Sequence, residues 1–292
     1  MSAKILVTGA TGNFGKLTID FLLNKGIDAA NISALVRDEA KASDLKAKGV
    51  NLKIGDYDNY DSLLAAFQGI DKLLLVSGTD LANRSKQQLN AVQAAKEAGV
   101  KHIIYTSFER KNETATSPIA FLAKSHIDTD NAIKESGIKY TILKNNLYLD
   151  VLPMFLGEQV LESGIYFPAG EGQAAYVSRT DLAEATANIL ISDGHENKEY
   201  ATNNIENYSM KDIAESLSKI SGKEINYLNP NSEEYAETLK SAGVPAEYIG
   251  MFVGFAEAIK QGEFQTDLSD LEKLLGRKPA NLNDFLKQVY SK

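Results

Sequence analysis

The stretch Lys4-Ile5-Leu6-Val7-Thr8-Gly9-Ala10-Thr11-Gly12-Asn13-Phe14-Gly15 decides how this chain is read. An apolar run of strand length ends in three glycines separated by two residues each. Lys16-Leu17-Thr18-Ile19-Asp20-Phe21-Leu22-Leu23 follows at once with a helix pattern, placing Leu17, Phe21 and Leu22 on one side. Glycine lets the chain turn sharply here and lets a pyrophosphate approach the main chain without meeting a Cβ. The first N–H groups of a helix have no partner within it, so they and the helix field can receive negative charge. The spacing is Gly-x-x-Gly-x-x-Gly rather than the dehydrogenase Gly-x-Gly-x-x-Gly, and an ordinary strand–helix turn can carry it. The strand before and the helix after favour dinucleotide binding, with Gly9, Thr11, Gly12, Asn13, Phe14 and Gly15 around the phosphates.

Outward from this turn, Ile32-Ser33-Ala34-Leu35-Val36 reads as a second strand, with Arg37 immediately after it. In a nucleotide-binding unit this is where the adenosine ribose arrives. An acidic residue there serves a free 2′-hydroxyl, and an arginine pairs with a 2′-phosphate, so Arg37 points to NADPH although Asp38 follows it. Ala40 to Lys48 reads as a short helix and Val50 to Ile54 as the third strand. Asp56, just beyond it, either accepts from the adenine amino group or caps the helix carrying Leu63, Leu64 and Phe67. Lys72-Leu73-Leu74-Leu75-Val76 is continuously apolar, as a buried parallel strand should be. It opens into Ser77-Gly78-Thr79-Asp80, a loop expected to line the middle of the cofactor. A helix from Arg84 to Ala98 presents Leu89, Val92 and Ala95 at helical spacing and stops at Gly99. His102 to Phe108 is the fifth strand, with Ser107 at its ligand-facing end. Glu109 to Ser117 is polar and expected to be mobile. Ile119 to Ser136 follows, helical in character from Ile127 onwards, with Lys124 and His126 near its start. Lys139 to Leu143 is a sixth strand, leaving through Lys144-Asn145-Asn146-Leu147-Tyr148.

This alternation predicts an α/β fold, a Rossmann-type doubly wound parallel sheet over residues 1–150. Residues 151–292 read mainly as a smaller C-terminal α/β lobe that forms the substrate cleft, with some segments returning to the main domain. Met154 to Leu161, Glu234 to Lys240 and Ala246 to Gly262 look helical there, and Ile225 to Leu228 looks like a strand. Gly164 to Gly172 reads as a strand broken by turns. Ser209, three residues before Asp212, reads as a helix N-cap.

Composition narrows the function classes. The 292 residues carry a formal net charge of -8, which gives no support for a nucleic-acid surface. There is no cysteine, which excludes disulfides and thiolate chemistry. His102, His126 and His195 are far apart and belong to no metal motif, so no metal is expected. No apolar segment approaches spanning length, and the start lacks a signal-peptide pattern, so no membrane insertion and a cytoplasmic location are expected.

With these stretches placed, the chain resembles the atypical short-chain dehydrogenase/reductases of the NmrA-like group. Within that group it resembles the bacterial NAD(P)H:quinone oxidoreductases of type 2. The resemblance rests on Val7 to Gly15, Ala34-Leu35-Val36-Arg37, Thr106-Ser107 and Tyr140 to Asn146. Two distal pieces, Tyr176 to Ala183 and Asp270 to Pro279, select the NmrA-like branch.

The resemblance implies an enzyme that binds NADPH and passes two electrons to a quinone without flavin. It places the nicotinamide near Ser77, Gly78 and Thr79 and near Asn145 to Tyr148, and makes Arg37 the reader of the 2′-phosphate. Reductases of the wider superfamily use a tyrosine four residues before a lysine; here Lys124 matches the lysine, but Ala120 stands where the tyrosine would be. Reduction of a simple ketone makes a strongly basic alkoxide that needs a positioned acid. A hydroquinonate is delocalised and much less basic, so the missing tyrosine suits a quinone.

Lys124 would bond the nicotinamide ribose, or is a surface lysine. Ser107 supports the substrate oxygen, or caps its strand; Tyr148 contacts the quinone, or packs against the lobe. His126 reads as a surface or supporting residue rather than an acid. Two other function classes stay open: a non-catalytic NADP-sensing regulator, and a reductase of another conjugated acceptor such as an enone or azo compound. The expected partner is a small-molecule quinone, and the oligomeric state, a homodimer included, is left open.

Overall fold

The computed structural model describes residues 3–291. Seven parallel strands form its main sheet: β1 (Ile5–Val7), β2 (Ile32–Val36), β3 (Asn51–Ile54), β4 (Lys72–Leu75), β5 (His102–Phe108), β6 (Lys139–Asn145) and β9 (Lys198–Thr202). Between β6 and β9 the chain forms two short strands, β7 (Ile165–Tyr166) and β8 (Gln173–Ala174). The sheet order is β3-β2-β1-β4-β5-β6-β9. In register, Ile5 faces Ile32 on one side and Lys72 on the other. The order therefore reverses between β1 and β4, and the crevice outside their carboxyl ends is where a doubly wound sheet receives a ligand.

The helices α1 (Asn13–Asn24), α2 (Ser43–Ala47), α3 (Tyr60–Phe67), α4 (Arg84–Glu97) and α5 (Ala120–Glu135) connect the first six strands. On one face of the sheet, Leu63, Phe67, Ala91, Ala95 and Ile133 bury Leu73, Ile103 and Tyr105 under α3, α4 and α5. The other face packs Ile5, Val7, Ile104 and Leu143 against α1 and two later helices, α8 (Arg179–Ile191) and α12 (Leu271–Leu275). The remaining helices are α6 (Leu152–Leu156), α7 (Val160–Ser163), α9 (Met210–Ser221), α10 (Ser232–Ser241), α11 (Ala246–Lys260) and α13 (Leu282–Tyr290). They surround a separate core that includes Phe155, Phe167, Tyr176, Tyr235, Phe252 and Phe264. Strand β10 (Tyr208–Ser209) pairs antiparallel with β8, and β11 (Tyr227–Leu228) pairs parallel with β7. Ser209 and Asp212 form the expected capping box at the start of α9, each side chain taking the other's backbone N–H. The architecture is the expected α/β one, a Rossmann-type parallel sheet with a smaller C-terminal lobe.

Several local expectations change. Met154 to Leu161 is not one helix: α6 stops at Gly157, which has φ +81°, and α7 starts afresh. Helix α5 fills nearly the whole of the Ile119 to Ser136 segment, running from Ala120 to Glu135 and so already helical before Ile127. Leu89 lies on the exposed side of α4, whose inward side instead carries Gln87, Gln88, Ala91, Val92 and Ala95. Strand β9 was not expected, and it extends the main sheet beside β6 with residues 198–202.

Candidate functional site

The opening turn is built for close approach. Gly9 has φ +57°, and the N–H of Gly12 donates to the Gly9 carbonyl at 2.9 Å. A Cβ on Gly15 would stand 2.4 Å from that same oxygen, so Gly15 lets α1 close onto the turn. A Cβ on Gly12 would meet only the Gly9 oxygen, at 3.2 Å, and otherwise project outward. No side chain caps α1, whose N-cap is Gly12. Thr11, Gly12 and Asn13 are exposed, while Phe14 and Gly15 are buried. An uncapped, exposed helix start faces the crevice between β1 and β4 with its N–H groups free. The site suits a pyrophosphate.

The crevice walls follow from neighbouring strand ends. Thr8 Oγ1 accepts from the Val76 N–H at 2.8 Å, and Thr106 Oγ1 accepts from the Ser77 N–H at the same distance. These two threonines hold the exit of β4 between β1 and β5. A Cβ on Gly78 would meet only the Gln87 side-chain oxygen, at 3.8 Å, and the Gly78 carbonyl accepts from Arg84. Thr79, next along, is exposed.

Arg37 is exposed at the end of β2 and has no ion-pair partner among the described residues. Asp38 is spent on the next turn, accepting from the Ala40 N–H at 2.9 Å. Asp56 does not cap α3; Asn59 does, accepting from the Ser62 N–H. The Asp56 carboxylate instead steadies its own turn by accepting from the Asp58 N–H. Tyr57 donates to the Val76 carbonyl, and burial pushes its phenol up to about 12.

Three predicted residues take other roles. Lys124 does not face the crevice: its side chain is 76% exposed and pairs with Asp128, one turn along α5. The face of α5 turned to the sheet carries Leu122, Ser125, His126, Thr129 and Asp130. Ser107 is 3% exposed, donates to Asp130 at 3.0 Å and receives a weak bond from Arg110, so it joins strand to helix rather than meeting a ligand. Asn145 has both amide atoms engaged: Thr202 donates to its oxygen at 2.7 Å, and its nitrogen donates to the Tyr148 hydroxyl at 3.3 Å.

Tyr148 leaves β6 at the point where the chain passes from the sheet to the lobe. Leu147 and Leu149, on either side of it, belong to the lobe core, while its ring packs toward the sheet core. The Arg179 guanidinium lies 5.0 Å from the ring centre. Burial raises the Tyr148 phenol above its ordinary value.

Two features were not read from the sequence. Buried Arg110 and Asp130 form an ion pair at 2.8 Å beneath the end of β5, and burial pushes the Asp130 carboxyl up. The segment after β5, expected to be mobile, is anchored. Glu263, 5% exposed in the lobe, accepts from the backbone N–H groups of Lys111 and Asn112 at 3.0 and 2.9 Å. No local pattern marks either, because each links residues distant in sequence.

No group of three or more His, Asp or Glu among the described residues could hold a metal ion. No helix among them is long and apolar enough to cross a membrane.

Comparison with known proteins agrees with this geometry. Over 288 residues the chain is 35% identical to quinone oxidoreductase 2 of Escherichia coli, covering 98% of this chain and 99% of that one. The structure of an Escherichia coli NADPH-dependent quinone oxidoreductase complexed with NADPH superposes with a TM-score of 0.90 at 34% identity, over 98% of this chain and 99% of that chain. Citrobacter sp. triphenylmethane reductase complexed with NADP(H) superposes with a TM-score of 0.88 at 36% identity, over 99% of each chain. The sequence pattern of the NmrA-like family matches residues 1–286, and the chain belongs to the NmrA-like family.

Proposed function

We propose that this protein binds NADPH at the carboxyl edge of its parallel sheet and reduces quinones by hydride transfer, without flavin. The observation that carries the reading is the exposed, uncapped start of α1 together with the unpaired Arg37 at the end of β2. The N–H groups at Asn13, Phe14 and Gly15 would take the pyrophosphate, with Gly12 giving it room to approach and Thr11 beside them, and Arg37 would take the 2′-phosphate; the Gly12 N–H itself is held by the Gly9 carbonyl. With Asp38 committed to the Ala40 N–H, the carboxylate beside Arg37 is turned to its own backbone. The residues present therefore fit the dinucleotide.

NADPH supplies the hydride, and the protein supplies position. The loop Ser77-Gly78-Thr79 forms the wall beside the nicotinamide, with Thr106 and Thr8 keeping it in place. The end of β5, Tyr148 and the lobe form the acceptor's side of the cleft. Phe108, at the end of β5, meets Phe264 and Phe255 of the lobe with ring centres 5.5 and 6.5 Å apart, giving an apolar wall for a flat, conjugated acceptor.

The test is NADPH oxidation followed at 340 nm with a panel of benzoquinones and naphthoquinones, with a triphenylmethane dye included. Turnover with quinones and a preference for NADPH over NADH are expected. Tight NADP+ binding with no turnover of any acceptor would overturn the reductase reading in favour of a dinucleotide-sensing role.

A further inference from the structure

His126 is 3% exposed on the inward face of α5, and its ring stacks on Phe108 at 5.7 Å. Its Nδ1 lies 2.8 Å from the Tyr105 hydroxyl. The hydrogen bonds around that hydroxyl decide which ring nitrogen carries the proton. Thr129 donates its hydroxyl proton to the Ser125 carbonyl at 2.7 Å, so it can only accept from Gln88. The Gln88 atom 2.7 Å from Thr129 must then be the amide nitrogen, which also donates to the Tyr105 oxygen at 3.1 Å. Tyr105 is left with its own proton to give. His126 Nδ1 is its nearest acceptor, at 2.8 Å against 3.3 Å for the Gln88 oxygen. Nδ1 therefore accepts, and Nε2 holds the hydrogen.

That Nε2–H has no protein partner among the described residues. It is also absent from the sealed-off unpaired polar atoms, which are Arg110 Nε, Asp130 Oδ1, Tyr176 Oη, Asn203 Oδ1 and Tyr290 Oη. The residue as a whole is buried, so this hydrogen is left for a ligand or a water to accept. The two ring nitrogens point in nearly opposite directions. With Nδ1 bonded to Tyr105 in the sheet, Nε2 lies on the other side of a ring stacked on Phe108, whose own ring meets Phe255 and Phe264 of the lobe.

We propose that His126 donates a hydrogen bond from Nε2 to the carbonyl oxygen of the bound acceptor, and that Tyr105 positions it by fixing this tautomer. The inference rests on the reductase reading above. As a quinone accepts hydride, negative charge collects on its oxygens, and a donor already aimed at one of them stabilises that charge without reorganising. His126 acts as a neutral donor and keeps its proton; water protonates the weakly basic hydroquinonate. Burial, followed by the Arg84 guanidinium from α4 and the Arg110 guanidinium after β5, holds its pKa well below the ordinary value, which favours the neutral ring. The role falls to the residue two positions after Lys124, on the opposite side of the same helix.

The experiment uses the intact protein with 15N-labelled histidine and bound NADP+, which blocks turnover. Long-range 1H–15N spectra should show His126 with a pyridine-type Nδ1 and a protonated Nε2, and adding 1,4-naphthoquinone should move the Nε2 resonance. Tyr105→Phe should mix the two tautomers, which a purely packing role would not do. In turnover, His126→Asn should lower kcat about 10- to 100-fold with NADPH affinity unchanged. This is less than the about 100- to 1000-fold attached to an oxyanion-hole donor, because hydroquinonate charge is delocalised. His126→Gln, whose amide nitrogen can occupy the Nε2 position, should recover part of the loss. A protonated Nδ1 in the wild-type spectrum would overturn the inference, and so would His126→Asn turning over at the wild-type rate. If the wild type itself reduces no quinone, the reductase reading fails instead.

Discussion

Gly12 and Gly15 belong to one motif, yet the structure gives them separable tasks, and alanine at each position tests the separation. A Cβ on Gly15 would lie 2.4 Å from the Gly9 oxygen, 2.8 Å from its carbonyl carbon and 2.9 Å from Ala10 Cα. All three are backbone atoms of a turn clamped by the Gly12 N–H and by β1, so none can swing aside. Relief requires α1 to move off the sheet, disturbing the packing of Ile19 and Leu22. Overpacking of this kind costs about 1–3 kcal/mol, and the rigid neighbours place Gly15→Ala at the upper end. At about 2 °C per kcal/mol for a chain this large, the melting temperature should fall by about 6 °C. Gly12→Ala meets a single oxygen at 3.2 Å, so its fold should melt within about 1–2 °C of wild type. Its methyl group would nonetheless project toward the phosphate-binding surface, and NADPH affinity should drop at least tenfold. Thermal melts without cofactor and fluorescence titration with NADPH read the two effects separately. A Gly15→Ala protein as stable as wild type would refute the argument, and so would a Gly12→Ala protein that binds NADPH normally.

Arg37→Ala should weaken NADPH binding about 10- to 100-fold, matching the loss of a charged hydrogen bond, while leaving NADH binding unchanged; an equal loss for both would remove its 2′-phosphate role. Glu263→Ala deprives the Lys111 and Asn112 N–H groups of their acceptor. Hydrogen exchange at those two amides should speed up by about tenfold or more, with Glu263→Gln in between. Burial, with Lys72 nearby, lowers the His102 pKa to about 4. The unfolded chain takes up that proton near the usual imidazole value of about 6.5, so this residue's contribution is intact above about pH 6.5 and is lost as pH falls toward 4. Urea midpoints measured at pH 7.5 and 5 should show that loss. His102→Gln, which can still donate to Thr141, should shrink it, and an unchanged pH dependence would count against the assignment.

Strands with a continuous apolar run were legible in the sequence. Ile32–Val36 and His102–Phe108 have the bounds their residues suggest, because both faces of a central parallel strand must be buried. Lys198–Thr202 escaped notice for the opposite reason. It is an edge strand reading Lys-Glu-Tyr-Ala-Thr, open to solvent over its first residues, and it pairs with a strand more than fifty residues earlier. Its strand character comes from the partner's exposed hydrogen-bonding edge rather than from its own pattern. The phase of α5 was hidden similarly. The residues alone favoured Lys124 over His126, and only packing against β5 shows that the helix turns His126 inward and Lys124 outward.

What the sequence by itself determined is the glycine turn, the order of strands and helices around it and the cation at Arg37. Each depends on backbone freedom, apolar periodicity or the identity of one residue beside a strand end, and these are local properties. What only the tertiary structure decided is which polar side chains remain available to a ligand. Ser107 is taken by Asp130, Asn145 by Thr202 and Tyr148, and Lys124 by Asp128, while the Nε2 of His126 is left free. A side chain's chemistry becomes available only after its neighbours have been satisfied. In the buried shell around this crevice most of those neighbours come from other strands and helices.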